Sequence, residues 1–173
     1  PDDRRLSELA ICGTHDTCTW NISWKAAAAA GAAAGVAAGS VVPVVGTAWG
    51  AFIGAITGGM VAEASTTQWF DLSQQLHAGI RYLDVRLYDD LMTYHAAVPT
   101  GVSFADLLSA IKRFLATYPR ETVVMQVKRE GPDVAWKMPA DAYRDQLNRV
   151  MDDPSHGVLW YTRDEVPTLG EAR

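Results

Sequence analysis

From Ala26 to Ala62 the chain carries no charged residue, reading AAAAAGAAAGVAAGSVVPVVGTAWGAFIGAITGGMVA between Lys25 and Glu63. No other feature limits so sharply what this polypeptide can fold into. Its glycines recur at four-residue intervals, Gly31, Gly35 and Gly39 in one run and Gly46, Gly50, Gly54 and Gly58 in another. That spacing lines them up on one face of a helix, where missing side chains let a second helix approach closely. Pro43, in SVVPVV between the two runs, breaks a helix. The segment predicts a helical hairpin insert over 25–67 with two small-residue stripes facing each other. Each arm has about 15–17 residues, short of the roughly 20 needed to cross a bilayer. Two readings stand: shallow or partnered insertion into a membrane, or a buried helical pair packed on the domain.

The rest of the chain has a different character. With 173 residues, 49% apolar and 20% charged, it can bury a core and is not composed like a disordered segment. A net charge of −5 with no lysine or arginine block argues against nucleic acid, and against purely electrostatic docking on an anionic bilayer. Cys12 and Cys18 are too few for a disulfide scaffold, and free thiols are expected. PDDRRLSELA lacks the apolar stretch of a signal peptide. A start at Pro1 with no initiator methionine suggests a piece excised from a longer protein.

Strand and helix patterns alternate. LAIC, ending at Gly13, reads as a first strand with a sharp exit. DLSQQLHAGI reads as a helix with Leu72, Leu76 and Ile80 on one face. RYLDVRLY and LMTYHAA read as strands. SFADLLSAIKRFLATYP reads as a helix opened by Ser103 and Asp106, striped by Phe104, Leu107, Leu108, Ile111 and Leu115, and stopped by Pro119. ETVVMQVK is the clearest strand, and PADAYRDQLNRVM a further helix before the apolar run VLWY. Such alternation predicts an α/β architecture with a parallel sheet.

Polar residues gather at the predicted strand ends. His15 and Asp16 follow the first strand, in ICGTHDTCTW. A histidine beside an acid in that setting serves as general base, as metal ligand, or in neither role. Asp84 and Arg86 are two apart in LDVRLY and share a face. His95 ends the next strand and Lys128 ends VVMQVK. If the strands are parallel neighbours, two histidines, two acids, an arginine and a lysine converge on one rim, where α/β barrels place their chemistry. The set suits phosphodiester cleavage. One imidazole takes a proton from a nucleophilic hydroxyl, the other protonates the leaving oxygen, and a guanidinium holds the phosphate. An acid beside each histidine fixes its tautomer. His77 and His156 read as structural, as do most of the tryptophans, although Trp20, Trp24 and Trp49 border the insert and tryptophan favours membrane interfaces.

LSELAICGTHDT, LHAGIRYLDVRLYDD followed by TYH, FADLLSAIKRFLATYPRETVVMQVKRE and LGEAR together resemble the catalytic X region of bacterial-type phosphatidylinositol-specific phospholipase C, over residues 6–24 and 68–173. The resemblance implies the N-terminal half of a TIM-like (β/α) barrel, an α/β fold, formed by residues 1–24 and 68–173 and interrupted by the insert. It implies a phosphoric diester hydrolase or lyase that yields diacylglycerol and a cyclic inositol phosphate. His15 matches the general base and His95 the general acid. Arg86 matches the phosphate-binding arginine, Asp16 and Asp84 the supporting acids, and Lys128 a basic headgroup residue. Eukaryotic members hold calcium at positions matching Asp16, Asp84 and Arg86. An arginine there implies no metal and no other cofactor, since calcium wants six to eight oxygens.

Two departures stand out. The family has a glycine where Ala96 follows His95, and its barrel continues past LGEAR. The rest of the barrel is therefore expected from another chain or from the remainder of the polypeptide. The implied partner is a phospholipid membrane surface; the missing start and the apolar tract, rather than the resemblance, suggest a secreted or delivered protein such as a bacterial toxin or effector domain. Competing readings are a membrane-inserting or partner-binding module with a degenerate site, and a metal-dependent glycerophosphodiester phosphodiesterase on the same barrel type.

Overall fold

β2, Tyr82–Leu87, is the strand on which the other elements assemble in this computed structural model. The structure describes residues 2–20, 66–131, 137–156 and 160–173, together with residues 22, 28, 31, 32, 36, 54 and 55. Alternation along β2 splits its side chains between two environments. Leu83, Val85 and Leu87 are fully buried. Tyr82, Asp84 and Arg86 point to the other face of the sheet. Two helices cover the Leu83 face: α1, Leu72–His77, through Leu72 and Leu76, and α2, Phe104–Thr117, through Phe104, Leu107, Leu108, Ile111 and Phe114.

Both helices start where the sequence places a cap. The Asp71 side chain accepts from the Gln74 amide, and the Gln74 side chain accepts from the Asp71 amide. Ser103 accepts from the Asp106 amide in the same way. A third helix, α3, Ala140–Asp152, lays Tyr143, Leu147, Val150 and Met151 against the edge of the core. Cys18 lies in that core and Cys12 is exposed; both are free thiols, and burial pushes the Cys18 thiol up to about 12 against a hydrogen bond with Thr93. Trp20 packs against the core. His77 is structural, its Nδ1 2.7 Å from the Ser73 carbonyl and its ring against Phe114 and Tyr118.

The sheet has three parallel strands and an antiparallel excursion. β1, Gly13–Thr14, and β5, Val124–Arg129, both pair parallel with β2. β3, Met92–His95, pairs antiparallel with β2, and β4, Val98–Ser103, antiparallel with β3. This corrects the expectation that His95 ends a parallel neighbour. Only residues 88–91 separate β2 from β3, and a parallel return needs a crossover of a dozen or more residues. His95 reaches the site because β3 doubles back along β2 from the Leu87–Thr93 pair. The first strand is corrected too. LAIC is not a strand; the ladder holds only Gly13 and Thr14, and Gly13 is there because a Cβ on it would stand 2.9 Å from the Cβ of Tyr82.

The predicted hairpin lies almost wholly outside the described residues, as do Trp24, Trp49 and part of VLWY. Of its described residues, Ala28, Gly31, Ala32, Val36, Gly54 and Ala55 are helical, and Thr66 and Thr67 are not. A Cβ on Gly54 would fall 2.1 Å from the Gly31 carbonyl oxygen, so one glycine of each run meets the other at backbone distance. Among the described residues no helix is long and apolar enough to cross a membrane.

Leu83 tests the packing. It is fully buried in the strand both neighbours lean on. Leu83→Ala is expected to cost about 2–5 kcal/mol, read as a lower urea midpoint with the slope unchanged. A loss under about 1 kcal/mol would contradict a core centred on β2.

Candidate active site

The loop after β1 is zipped onto β2. The Thr17 amide donates to the Asp84 carbonyl at 3.0 Å, the Asp84 amide to Thr17 Oγ1 at 2.9 Å, and the Asp16 amide to Asp84 Oδ2 at 3.2 Å. These bonds turn Asp16 into the sheet, where it is 3% exposed and held at φ +50°. A left-handed aspartate costs conformational energy, and such strain collects where a fold aims a functional group.

Asp16 is shared by both histidines. Its Oδ2 lies 2.8 Å from His15 Nδ1 and 3.3 Å from His95 Nε2. The two nitrogens that face Asp16 are thus no farther apart than those two distances laid end to end, which brings the two rings to one place. This differs from one acid per histidine, because Asp84 is turned to Arg86 instead. His95 Nδ1 is buried with no hydrogen-bond partner among the described residues. His15 is mostly exposed, and its Nε2 lies 2.9 Å from Arg86 NH2. A guanidinium only donates, so Nε2 accepts and the neutral ring carries its proton on Nδ1, toward Asp16.

Arg86 occupies the centre. Its NH2 is 3.0 Å from Asp84 Oδ2, and its Nε stands 2.7 Å from Asp16 Oδ1 as an ion pair. Its NH1 reaches both oxygens of Glu130, at 3.2 and 3.0 Å. Glu130 also accepts from Lys128 Nζ and from the Ala96 amide, each at 2.8 Å. Burial works against the charge on these groups, and the local bonds outweigh it. The Asp84 carboxyl is held below its usual range by hydrogen bonds from Arg86 and the Asp16 amide and by the charges of Arg86 and His15. Hydrogen bonds from Lys128, the Ala96 amide and Arg86 hold Glu130 at about 2. Arg86 is raised by its bonds to Asp84 and Glu130 and by the charges of Asp16 and Asp84.

All six residues singled out in the sequence, His15, Asp16, Asp84, Arg86, His95 and Lys128, therefore join one network. Lys128 touches it only through Glu130 and is half exposed. Glu130 itself was missed, although Gln126, Lys128 and Glu130 alternate onto the same face as Asp84 and Arg86. Three ligand-type groups, on His15, Asp16 and Asp84, lie within 4.8 Å of one another. A divalent ion does not fit them well, because the Arg86 guanidinium is already inserted among all three.

The model of the phosphatidylinositol-specific phospholipase C X domain matches residues 56–173, a stretch that includes Asp84, Arg86, His95, Lys128 and Glu130 but not His15 and Asp16. The 1-phosphatidylinositol phosphodiesterase of Listeria monocytogenes is 32% identical over 130 residues, 75% of this chain and 31% of that protein. The PI-PLC X domain-containing protein 1 of Mus musculus is 33% identical over 130 residues, 71% of this chain and 34% of that protein. The solved phosphatidylinositol-specific phospholipase C from Listeria monocytogenes superposes with a TM-score of 0.67 at 26% identity, over 100% of this chain and 51% of that one. A Staphylococcus aureus enzyme of the same name superposes at 0.65 with 22% identity and agrees in fold. The chain thus spans about a third of the length of these curated relatives and about half of the solved ones.

The depressed carboxyls set a pH dependence of stability. A carboxyl held low in the fold binds fewer protons there than in the unfolded chain, so its contribution is present above the ordinary value of 4.5 and is lost as pH falls toward about 2. Urea midpoints taken across that window should fall with pH, and Glu130→Gln should flatten the decline. Parallel slopes for the two proteins would contradict the assignment.

Proposed function

The chain belongs to the phosphatidylinositol-specific phospholipase C X-domain family, and from that premise and the site's geometry we propose that it cleaves the phosphodiester of a phosphatidylinositol-type membrane lipid. The observation that carries this reading is the pair of imidazoles, from β1's loop and β3, set on one oxygen of Asp16 beside a guanidinium.

His15 Nε2 takes the proton of the inositol 2-hydroxyl as its oxygen attacks phosphorus. The bond from phosphorus to the glycerol oxygen breaks, and protonated His95 supplies that oxygen with a proton. Diacylglycerol and a cyclic inositol phosphate leave. Arg86 turns part of its guanidinium to the phosphate oxygens, releasing Nε2 of His15 for its work as base. Asp16 and Asp84 hold the imidazoles and Arg86, and Lys128 meets the headgroup. Three carboxylates face two fixed cations, Arg86 and Lys128, in this network. An anionic phosphate is therefore received best when one imidazole is protonated, and that is the state acid–base catalysis needs. Arg86 supplies the positive charge that a metal-dependent phosphodiesterase would draw from an ion, so the reaction is proposed to run without metal or other cofactor.

A membrane surface as partner is supported by two exposed aromatic residues at the rim. Trp69 is 97% exposed and Phe70 52%, and the preceding Gln68 donates to the His15 carbonyl at 2.6 Å. In this reading residues 1–24 and 68–173 form the catalytic region, and the 25–67 insert, entering on the same rim, also meets lipid. The face bearing Gln126 and Lys128 is open, as expected where further strands from the polypeptide or another chain would close a barrel. A secreted or delivered bacterial toxin or effector is the setting proposed, since cleaving a membrane lipid requires access to a bilayer.

Product release from mixed phosphatidylinositol and phosphatidylcholine vesicles by the complete protein tests the proposal. Inositol lipid should be cleaved, phosphatidylcholine spared, and the rate unchanged in excess chelator. His15→Ala or His95→Ala should lower it about 100-fold or more while vesicle binding persists. Loss in chelator that calcium restores would overturn the metal-free mechanism, and unaltered rates in both variants would overturn the roles of the histidines.

A further inference from the structure

His95 is the least firmly held of the two imidazoles. Among the described residues its ring makes one polar contact, the 3.3 Å approach of Nε2 to Asp16, and its Nδ1 has no partner. Beyond that contact, its direction depends on the backbone that carries it. That backbone turns at once, since His95 is the last residue of β3 and Ala96 lies at φ +52°. Alanine has no preference for the left-handed region, and a glycine would adopt it freely. The His95–Val98 pair of β3 and β4 closes this two-residue turn, and a further contact reaches it from outside. Among the described residues, the side-chain acceptor on the Ala96 amide is Glu130 Oε1, at 2.8 Å, reaching across from the end of β5. The same carboxylate receives both hydrogen bonds from Arg86 NH1.

We propose that Glu130 is a positioning residue which, through the Ala96 amide, holds the left-handed turn that aims His95 at the leaving group. This deepens the phospholipase reading and rests on it. Arg86 keeps Asp16 and Asp84 when Glu130 is removed, so the phosphate clamp survives in the main. The turn keeps only its closing His95–Val98 pair, on an alanine that the left-handed region disfavours. The defect should therefore appear in leaving-group protonation more than in substrate binding. A lysine tie alone would not explain why the carboxylate is placed over the turn, because Lys128 meets the other oxygen.

Three measurements on the complete protein test this. Glu130→Ala should lower kcat on phosphatidylinositol about 10- to 100-fold, with KM changed by about threefold or less. An inositol phosphodiester with a nitrophenolate leaving group needs little help from a general acid, so its cleavage should fall far less, by about threefold. Adding Ala96→Gly to Glu130→Ala should return about tenfold of the lost kcat, because glycine holds the turn unaided. Equal losses on the two substrates, or no rescue by glycine, would overturn the proposal while leaving the phospholipase reading intact. Should the wild-type protein cleave no inositol lipid, the reading fails separately, and amide exchange still decides the structural half. Exchange at Ala96 faster in Glu130→Ala than in wild type supports the tether, and equal exchange refutes it.

Discussion

One guanidinium holds the site together. Arg86 bridges Asp84 of its own strand, Asp16 of the loop after β1 and Glu130 at the end of β5, and its NH2 also faces His15. Three carboxylates brought this near one another would repel strongly without a cation among them. With Arg86 in place they become its ligands, and each fixes a different piece of backbone. Asp16 carries the β1 loop and receives both imidazoles. Glu130 carries the end of β5 and tethers the turn after β3. The charge lies on a side chain that the parallel sheet itself positions, with Arg86 in register with Lys128 and Asp84 with Gln126.

Preorganisation of this kind explains why the site is built on strands and their first following residues. The Leu83 face of β2 is locked into a core of aliphatic and aromatic side chains. Asp84 and Arg86 inherit that rigidity on the other face, where the dipoles and charges that would meet a phosphate are fixed in advance. The fully exposed Trp69 and the mostly exposed His15 sit at the end of the sheet away from the packed layer. The division of labour is spatial: apolar packing on one side of the sheet, chemistry on the other.

What the sequence disclosed follows from what periodicity encodes. Two-residue alternation assigns side chains to faces, so Asp84 and Arg86 could be paired from LDVRLY alone. Phe104–Thr117 was equally legible, because its cap, stripe and terminating proline agree. Periodicity says nothing about which strands are neighbours or which way they run. His95 was placed at the right rim for the wrong reason, since β3 is antiparallel and returns toward Asp84. Glu130 was hidden two residues beyond the apolar pattern of ETVVMQVK, although its parity already put it beside Lys128. The two-residue β1 is too short to leave a pattern at all; its position depends on the close approach of Gly13 to Tyr82. That Asp16 serves both histidines could not be read from spacing, because it depends on a positive φ that aspartate tolerates and sequence does not announce.

The arrangement stands or falls on His15 being fixed between an acceptor on one side and a donor on the other. Long-range nitrogen–proton NMR of the histidine-labelled protein, at a pH where the ring is neutral, reports which nitrogen bears the proton. With Asp16 Oδ2 at Nδ1 and Arg86 at Nε2, the spectrum should show the Nδ1–H tautomer. A proton on Nε2, or shifts averaged between the two forms, would mean that Arg86 and Asp16 do not hold the ring as described.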